Sequence, residues 1–208
     1  MPFRLTVFLF LLLSAVQTMY VFAYEDKITH RNINELAARS CGLNEIIRYQ
    51  LGMPRAFDTV LPYDSGSIIL RKTILEYLRD GGQEEDEPFR YLNHFHDPLK
   101  QWGSAGLALS RSSLVWAQKF EAGDGRECDA NRDENDTVCN PFSWGSARRY
   151  YYQALRTGSD LEWGKTFKSL GQVMHLLADA AVPAHVRNDP HLDDPYEKWV
   201  AKPANFAE

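Results

Sequence analysis

The chain has 208 residues, a formal net charge of −5 and six histidines. Its length suits one domain with a proper core. The acidic balance speaks against a broad phosphate-gripping surface of the DNA-binding type.

In chain order, the first segment reads as an address rather than as fold. Arg4 supplies a positive start, Leu5 to Val16 is apolar apart from Thr6 and Ser14, and Val21-Phe22-Ala23 ends in small or β-branched residues. This pattern predicts a secretory signal over 1–23 and a mature domain over 24–208, and hence a secreted or extracytoplasmic protein. The alternative is a retained anchor helix, which Gln17 and Thr18 weaken.

Helices are expected throughout the rest, and no alternating strand of any length is visible. Thr29 is placed as the cap of a helix carrying Ile33, Leu36, Ala37, Ile46 and Ile47, with Gly42 a break. Ser65 or Ser67 is expected to open a helix from Ile68 to Arg79, closed by Gly81-Gly82. Further helices are expected over Ser104 to Phe120, Ser146 to Leu155 and Leu161 to Ala181. A last one starts at Asp194-Pro195, with Asp at the cap and Pro in the first turn. The chain stops at Glu208 soon after that start, which suggests a fragment or a truncated product.

Two loops interrupt the helices. Gly82 to Pro98 is acidic and then rich in His and aromatic residues, and Glu121 to Pro141 is polar. Cys128 and Cys139 flank part of the second loop and could close a disulfide, contributing on the order of 3 kcal/mol. Cys41 reads as a small buried residue. Asp129 to Asp133 resembles the opening of a calcium loop but lacks the following glycine and the twelfth-position glutamate, so a solvated loop is expected. Asn135-Asp-Thr137 matches a glycosylation acceptor.

The chemistry concentrates in Gly171 to His185. His175 and Asp179 are four apart, so on a helix they share one face and can grip one cation. Pro183 should end that helix and turn His185 back towards it. His191, Asp193 and Glu197 follow. Imidazole and carboxylate are the ligand types that suit Zn²⁺ at hydrolytic sites. Glu197 could instead be the partner in a capping box begun by Asp194.

Thr29-His30-Arg-Asn-Ile33, Asn93-His94-Phe95-His96-Asp97-Pro98, His175-Leu-Leu-Ala-Asp179 and Pro183-Ala-His185 stand in this order along the chain. Together they resemble the signature blocks of the zinc-dependent phospholipase C superfamily, which includes fungal single-strand nucleases. The resemblance implies an all-α, multi-helix bundle with three Zn²⁺ ions in a cleft. It gives the first ion Asp86, His94, His175 and Asp179. It gives the second the free amine and carbonyl of Tyr24, with His30 and a bridging Asp179. Members usually begin with Trp where this chain has Tyr24, but only backbone atoms bind there. The third ion would take His185, Glu197 and either His191 or Asp193, with His191 the better donor. His96 matches no ligand position.

The same resemblance implies a phosphodiesterase that uses metal-activated water, with Asp86 orienting or deprotonating it. The expected substrate is a phospholipid, met by transient contact with a membrane surface. Tyr91 falls at an aromatic position of the headgroup pocket, whereas Glu87 replaces another aromatic, which argues against choline preference. Arg187 could contact phosphate or be a surface residue. The alternatives are a single-strand nuclease, with Trp144 or Tyr150 to Tyr152 as stacking platforms, and a zinc-binding protein without turnover.

Overall fold

The computed structural model describes residues 28–87, 90–108, 110–118, 140–190, 195–200 and 202. Within them lie α1 (Thr29–Ser40), the single turn α2 (Leu43–Glu45), β1 (Val60–Asp64) and β2 (Ile69–Thr73). There follow α3 (Ile74–Glu84), α4 (Ser113–Gln118), α5 (Trp144–Thr157), α6 (Asp160–Asp179) and α7 (Pro195–Val200). The protein is mostly helical, with one antiparallel hairpin added to the expected all-α arrangement. No helix among the described residues is long and apolar enough to cross a membrane. The leader over 1–23, the Cys128–Cys139 pair, the Asp129 to Asp133 loop and Asn135 lie outside the described residues.

Helix α6 is the central element. It packs against α3 and α5, while α1 packs on α3. Ser159 caps it by accepting the Glu162 amide, and the preceding Gly158 takes the left-handed conformation (φ 70°) that ends α5. Because α6 has neighbours on most sides, Trp163, Phe167, Ser169, Gln172, His175 and Asp179 are all buried.

The expected helix from Ile68 is corrected by the hairpin. Ile69–Thr73 pairs antiparallel with Val60–Asp64, and helix starts only at Ile74. Thr73, not a serine, is the cap: its side chain accepts the Glu76 amide and Glu76 accepts the Thr73 amide, a capping box. Ser65 closes the hairpin turn instead, its amide donating to the Ile68 carbonyl at 3.1 Å. A two-stranded hairpin is marginal alone. Leu61 and Tyr63 anchor this one in the core beside Ile74, Tyr77 and Leu78, each contributing roughly 1.5–3 kcal/mol of burial. The Tyr77 hydroxyl also donates to the Leu61 carbonyl at 3.0 Å.

Gly81 and Gly82 do not end a helix; they lie inside α3 and serve close approach. A Cβ on Gly81 would meet the Gly171 carbonyl carbon at 2.7 Å, and one on Gly82 would meet the His30 oxygen at 2.7 Å. A Cβ on Gly171 would meet the Tyr77 oxygen at 2.6 Å. Backbone therefore touches backbone where α1, α3 and α6 meet. Asn34 sits at this junction, its side-chain amide donating to the carbonyls of Leu78 (2.9 Å) and Gly171 (2.8 Å).

That junction also inverts the expected face of α1. Leu36 and Ala37 are exposed, and the buried line is Thr29, His30, Asn34 and Ala38. Thr29 is the first helical residue rather than a cap, Ile28 holding the cap position without a side-chain bond. Gly42 does mark a break, heading α2. Among the described residues of the expected Ser104 to Phe120 helix, only Ser113–Gln118 is α-helical, preceded by a 3-10 turn at Trp102–Ser104; residues 109, 119 and 120 lie outside the described residues. Cys41 is exposed just beyond α1, not buried.

Candidate metal centre

Four imidazoles from four separate chain segments converge on one carboxylate. Asp179, at the end of α6, has its oxygens 3.3 Å from His30 Nε2, 2.9 Å from His94 Nδ1, 3.1 Å from His175 Nε2 and 3.3 Å from His185 Nδ1. Asp86 joins from the other side, with Oδ1 3.5 Å from His94 Nδ1 and 3.7 Å from His175 Nε2. All six residues are buried, Asp86 being the most exposed at 9%.

Each side chain reaches the cluster for a local reason. His30 lies on the inward line of α1. Asp86 lies in the turn after α3, its amide donating to the Gln83 carbonyl at 3.1 Å. His94 follows the 3-10 turn Arg90–Asn93, and its amide donates to Tyr91 O at 3.2 Å. His175 and Asp179 share a face of α6. Past α6, the amide of Val182 donates to the Asp179 carbonyl at 2.9 Å, and the chain folds back through Pro183 into the turn His185–Arg187. The His185 carbonyl accepts the His96 amide at 2.9 Å, tying the second and fourth histidine segments together.

The contacts of His175 explain why a cation suits this centre. His175 Nδ1 lies 2.6 Å from the Gly82 carbonyl, an acceptor only, so this nitrogen carries the proton. In the neutral ring Nε2 then presents a lone pair, yet it faces Asp179 Oδ2 and, at 3.2 Å, His94 Nδ1. A lone pair on Nε2 and the Asp179 carboxylate are both acceptors, and a cation between them relieves the repulsion. In the metal-free chain that cation is a proton: burial lowers the His175 pKa, but Asp179 and Asp86 outweigh it and raise the value to about 10. His30 goes the other way, lowered to about 4 by burial and by the nearby His175, with Asp179 opposing. Burial raises the Asp179 carboxyl, but His185, His175 and His94 overcome this and hold it well below the ordinary carboxylate range.

These buried His and Asp side chains could hold a metal ion. Two sets place their donor atoms within 4.8 Å of one another: His30, His175 and Asp179, and Asp86, His94 and His175. His175 belongs to both, whereas the sequence reading gave it to one ion alone.

Of the other expected site residues, Tyr24, His191 and Asp193 lie outside the described residues, and Glu197 lies within α7 without a described side chain. Tyr91 is half-buried in the turn leading to His94. Arg187 is exposed, its Nε donating to the Pro183 carbonyl at 3.1 Å. Trp144, Tyr151 and Tyr152 are exposed while Tyr150 is buried, so one residue of the tyrosine run packs inward.

Sequence reasoning passed over Glu85, which is fully buried with Oε1 3.9 Å from His94 Nε2. It stands inside the run Glu84 to Glu87, where four acids in sequence look like a solvated loop. Arg90, five residues on, was the available signal, since a cation there can pair with a carboxylate drawn inward. No family model, curated protein or solved structure matches the chain.

Proposed function

We propose that the protein is a secreted, zinc-dependent phosphodiesterase of the phospholipase C type. The observation that carries this reading is that His175 Nε2, two carboxylates and a second imidazole nitrogen face one another in a buried site. The donor set fits zinc: neutral imidazole and carboxylate suit it, whereas calcium sites are built from oxygen donors alone. Asp86, His94, His175 and Asp179 would hold one ion, and His30 with Asp179 and the Tyr24 terminus a second. His185, Glu197 and His191 or Asp193 would hold a third.

Zinc at such a site lowers the pKa of water to about 7 and neutralises charge on a phosphoryl oxygen. The chain's own groups do the remainder. Asp86, the most exposed of the six, would accept a proton at its carboxylate from an attacking water. The Gly82 carbonyl keeps the His175 proton on Nδ1, so Nε2 always faces inward. Burial of His30, His94, His175 and His185 excludes bulk water, which strengthens each charge interaction at the site.

Purified protein assayed on phosphatidylcholine, phosphatidylethanolamine and single-stranded DNA, with and without chelator, tests the proposal. Chelator-sensitive lipid hydrolysis is expected, and D86N should keep much of its zinc while losing most turnover. Hydrolysis of DNA alone would make it a nuclease. Chelator-insensitive turnover, or zinc binding without hydrolysis of any phosphodiester, would overturn the mechanism.

A further inference from the structure

We propose that Glu85 is a positioning residue for the metal centre, a clamped carboxylate that orients the His94 ring from behind. The inference rests on the reading that the cluster binds metal, and concerns how one of its ligands is held.

His94 turns Nδ1 towards Asp179, Asp86 and His175, so Nε2 points out of the cluster. There the nearest carboxylate oxygen is Glu85 Oε1 at 3.9 Å, longer than a hydrogen bond in this structure. A neutral imidazole carries one proton. Without a cation, Asp179 at 2.9 Å draws the proton to Nδ1; once a cation takes that lone pair, the proton moves to Nε2, where Glu85 is the carboxylate that can accept it. His175 shows the same logic in mirror image, with a backbone carbonyl behind Nδ1 and Nε2 facing inward.

Glu85 is held far more firmly than a helix-end glutamate requires. Its Oε2 accepts from Arg90 Nη2 at 2.6 Å and Nε at 3.1 Å, and its Oε1 accepts from Trp116 Nε1 at 2.7 Å. The Arg90 guanidinium donates onward to Asn140 Oδ1 at 2.8 Å and lies over the rings of Trp116 and Phe142, 5.0 and 5.1 Å from their centroids. Asn140 Nδ2 closes the loop by donating to the Trp116 carbonyl at 2.9 Å. Three stretches of chain therefore meet around one carboxylate that is itself 0% exposed. Burying an ion pair brings little net stability over an apolar replacement, so stability alone is a weak reason for this arrangement. Directing a ligand is a sufficient one.

The test measures zinc affinity of the full chain by competition with a chromophoric chelator, alongside the melting temperature of the metal-free protein. A cobalt-substituted visible spectrum reports ligand geometry. E85Q is expected to lose about 10- to 100-fold in affinity and to alter the cobalt bands, with E85D recovering part of the loss. Should E85Q fail to fold because Arg90 is left without its counter-charge, W116F serves. It keeps the Arg90–Glu85 pair, removes the donor on the oxygen facing His94 while leaving a smaller ring beside Arg90, and is expected to weaken zinc several-fold. A lowered melting temperature with unchanged affinity and cobalt spectrum, in E85Q or W116F, would reduce Glu85 to a structural residue and overturn the inference. A wild-type chain that binds no zinc would instead sink the proposed function, so the two failures are distinguishable.

Discussion

At the end of α3, Glu84 faces Lys72 and Lys168, whereas two residues later Asp86 faces His94 and His175. Lys72 also pairs with Asp80 at 3.0 Å, and Asp80 with Arg31 at 2.9 Å. Burial raises the Glu84 carboxyl, but Lys168 and Lys72 overcome it and hold the group below its ordinary range. The lysines bring their charge with them, so the first cluster is electrically complete. The second has carboxylates facing imidazoles that are neutral unless protonated, so its balance needs an exchangeable cation. Neighbouring acids on one turn of chain thus end in a structural network and in a candidate metal centre, and the type of base opposite decides which.

The widest break between the two should come from D179N, which removes the charge shared by four imidazoles. Zinc affinity should fall beyond the roughly 100-fold typical of outer-shell changes, measured as metal content after dialysis against a weak chelator. Retention of full zinc would mean that Asp179 is not a ligand.

K168M should do the reverse. The Lys168 side chain is 5% exposed, and its loss leaves Glu84 with Lys72 alone. We expect about 3 kcal/mol of destabilisation in urea, at the lower end for a broken buried pair, with zinc affinity unchanged. Loss of zinc in a folded K168M protein would show that the clusters are not separable.

G171A should strike both regions together. The added methyl has to displace Tyr77 O or separate α3 from α6, at about 1–3 kcal/mol. Because α6 carries His175 and Asp179 and α3 leads to Asp86, zinc affinity should fall with the melting temperature. Unchanged affinity would mean that the site tolerates a shift between these helices.

The most gradual effect is in pH. In the metal-free chain, the His30 pKa falls from an ordinary 6.5 to about 4, so its contribution to stability is complete above pH 6.5 and lost as pH falls towards 4. The His175 pKa rises from 6.5 to about 10, so its contribution is complete below pH 6.5 and lost as pH rises towards 10. Asp179, Asp86, His94 and His30 face His175, and the carboxylates prevail. With chelator present, the melting temperature contributed by these groups should peak near pH 6.5. Excess zinc should abolish the alkaline fall, because the metal replaces the proton on His175. An alkaline fall that persists under saturating zinc would contradict that replacement.

Much of this was legible before any coordinates. The i, i+4 spacing of His175 and Asp179, the break before Pro183 and the return of His185 are local consequences of helix geometry, and they appear in place. The convergence of His30, Asp86 and His94 was legible only as a pattern of residues across distant segments. Its distances depend on glycine contacts that look, in one dimension, like helix ends.

What the amino-acid sequence determined by itself is the mostly helical character, the order of the segments and the residues able to hold a cation, because side-chain periodicity and donor chemistry act within a few residues. Only the tertiary structure decided that Ile69–Thr73 is a strand, that α1 turns His30 and Asn34 inward in place of Leu36, and that Glu85 is buried behind His94. Those outcomes depend on what lies opposite. Apolar patterning cannot foresee a junction where backbones touch, leaving no room for large side chains and making the polar ones the inner face.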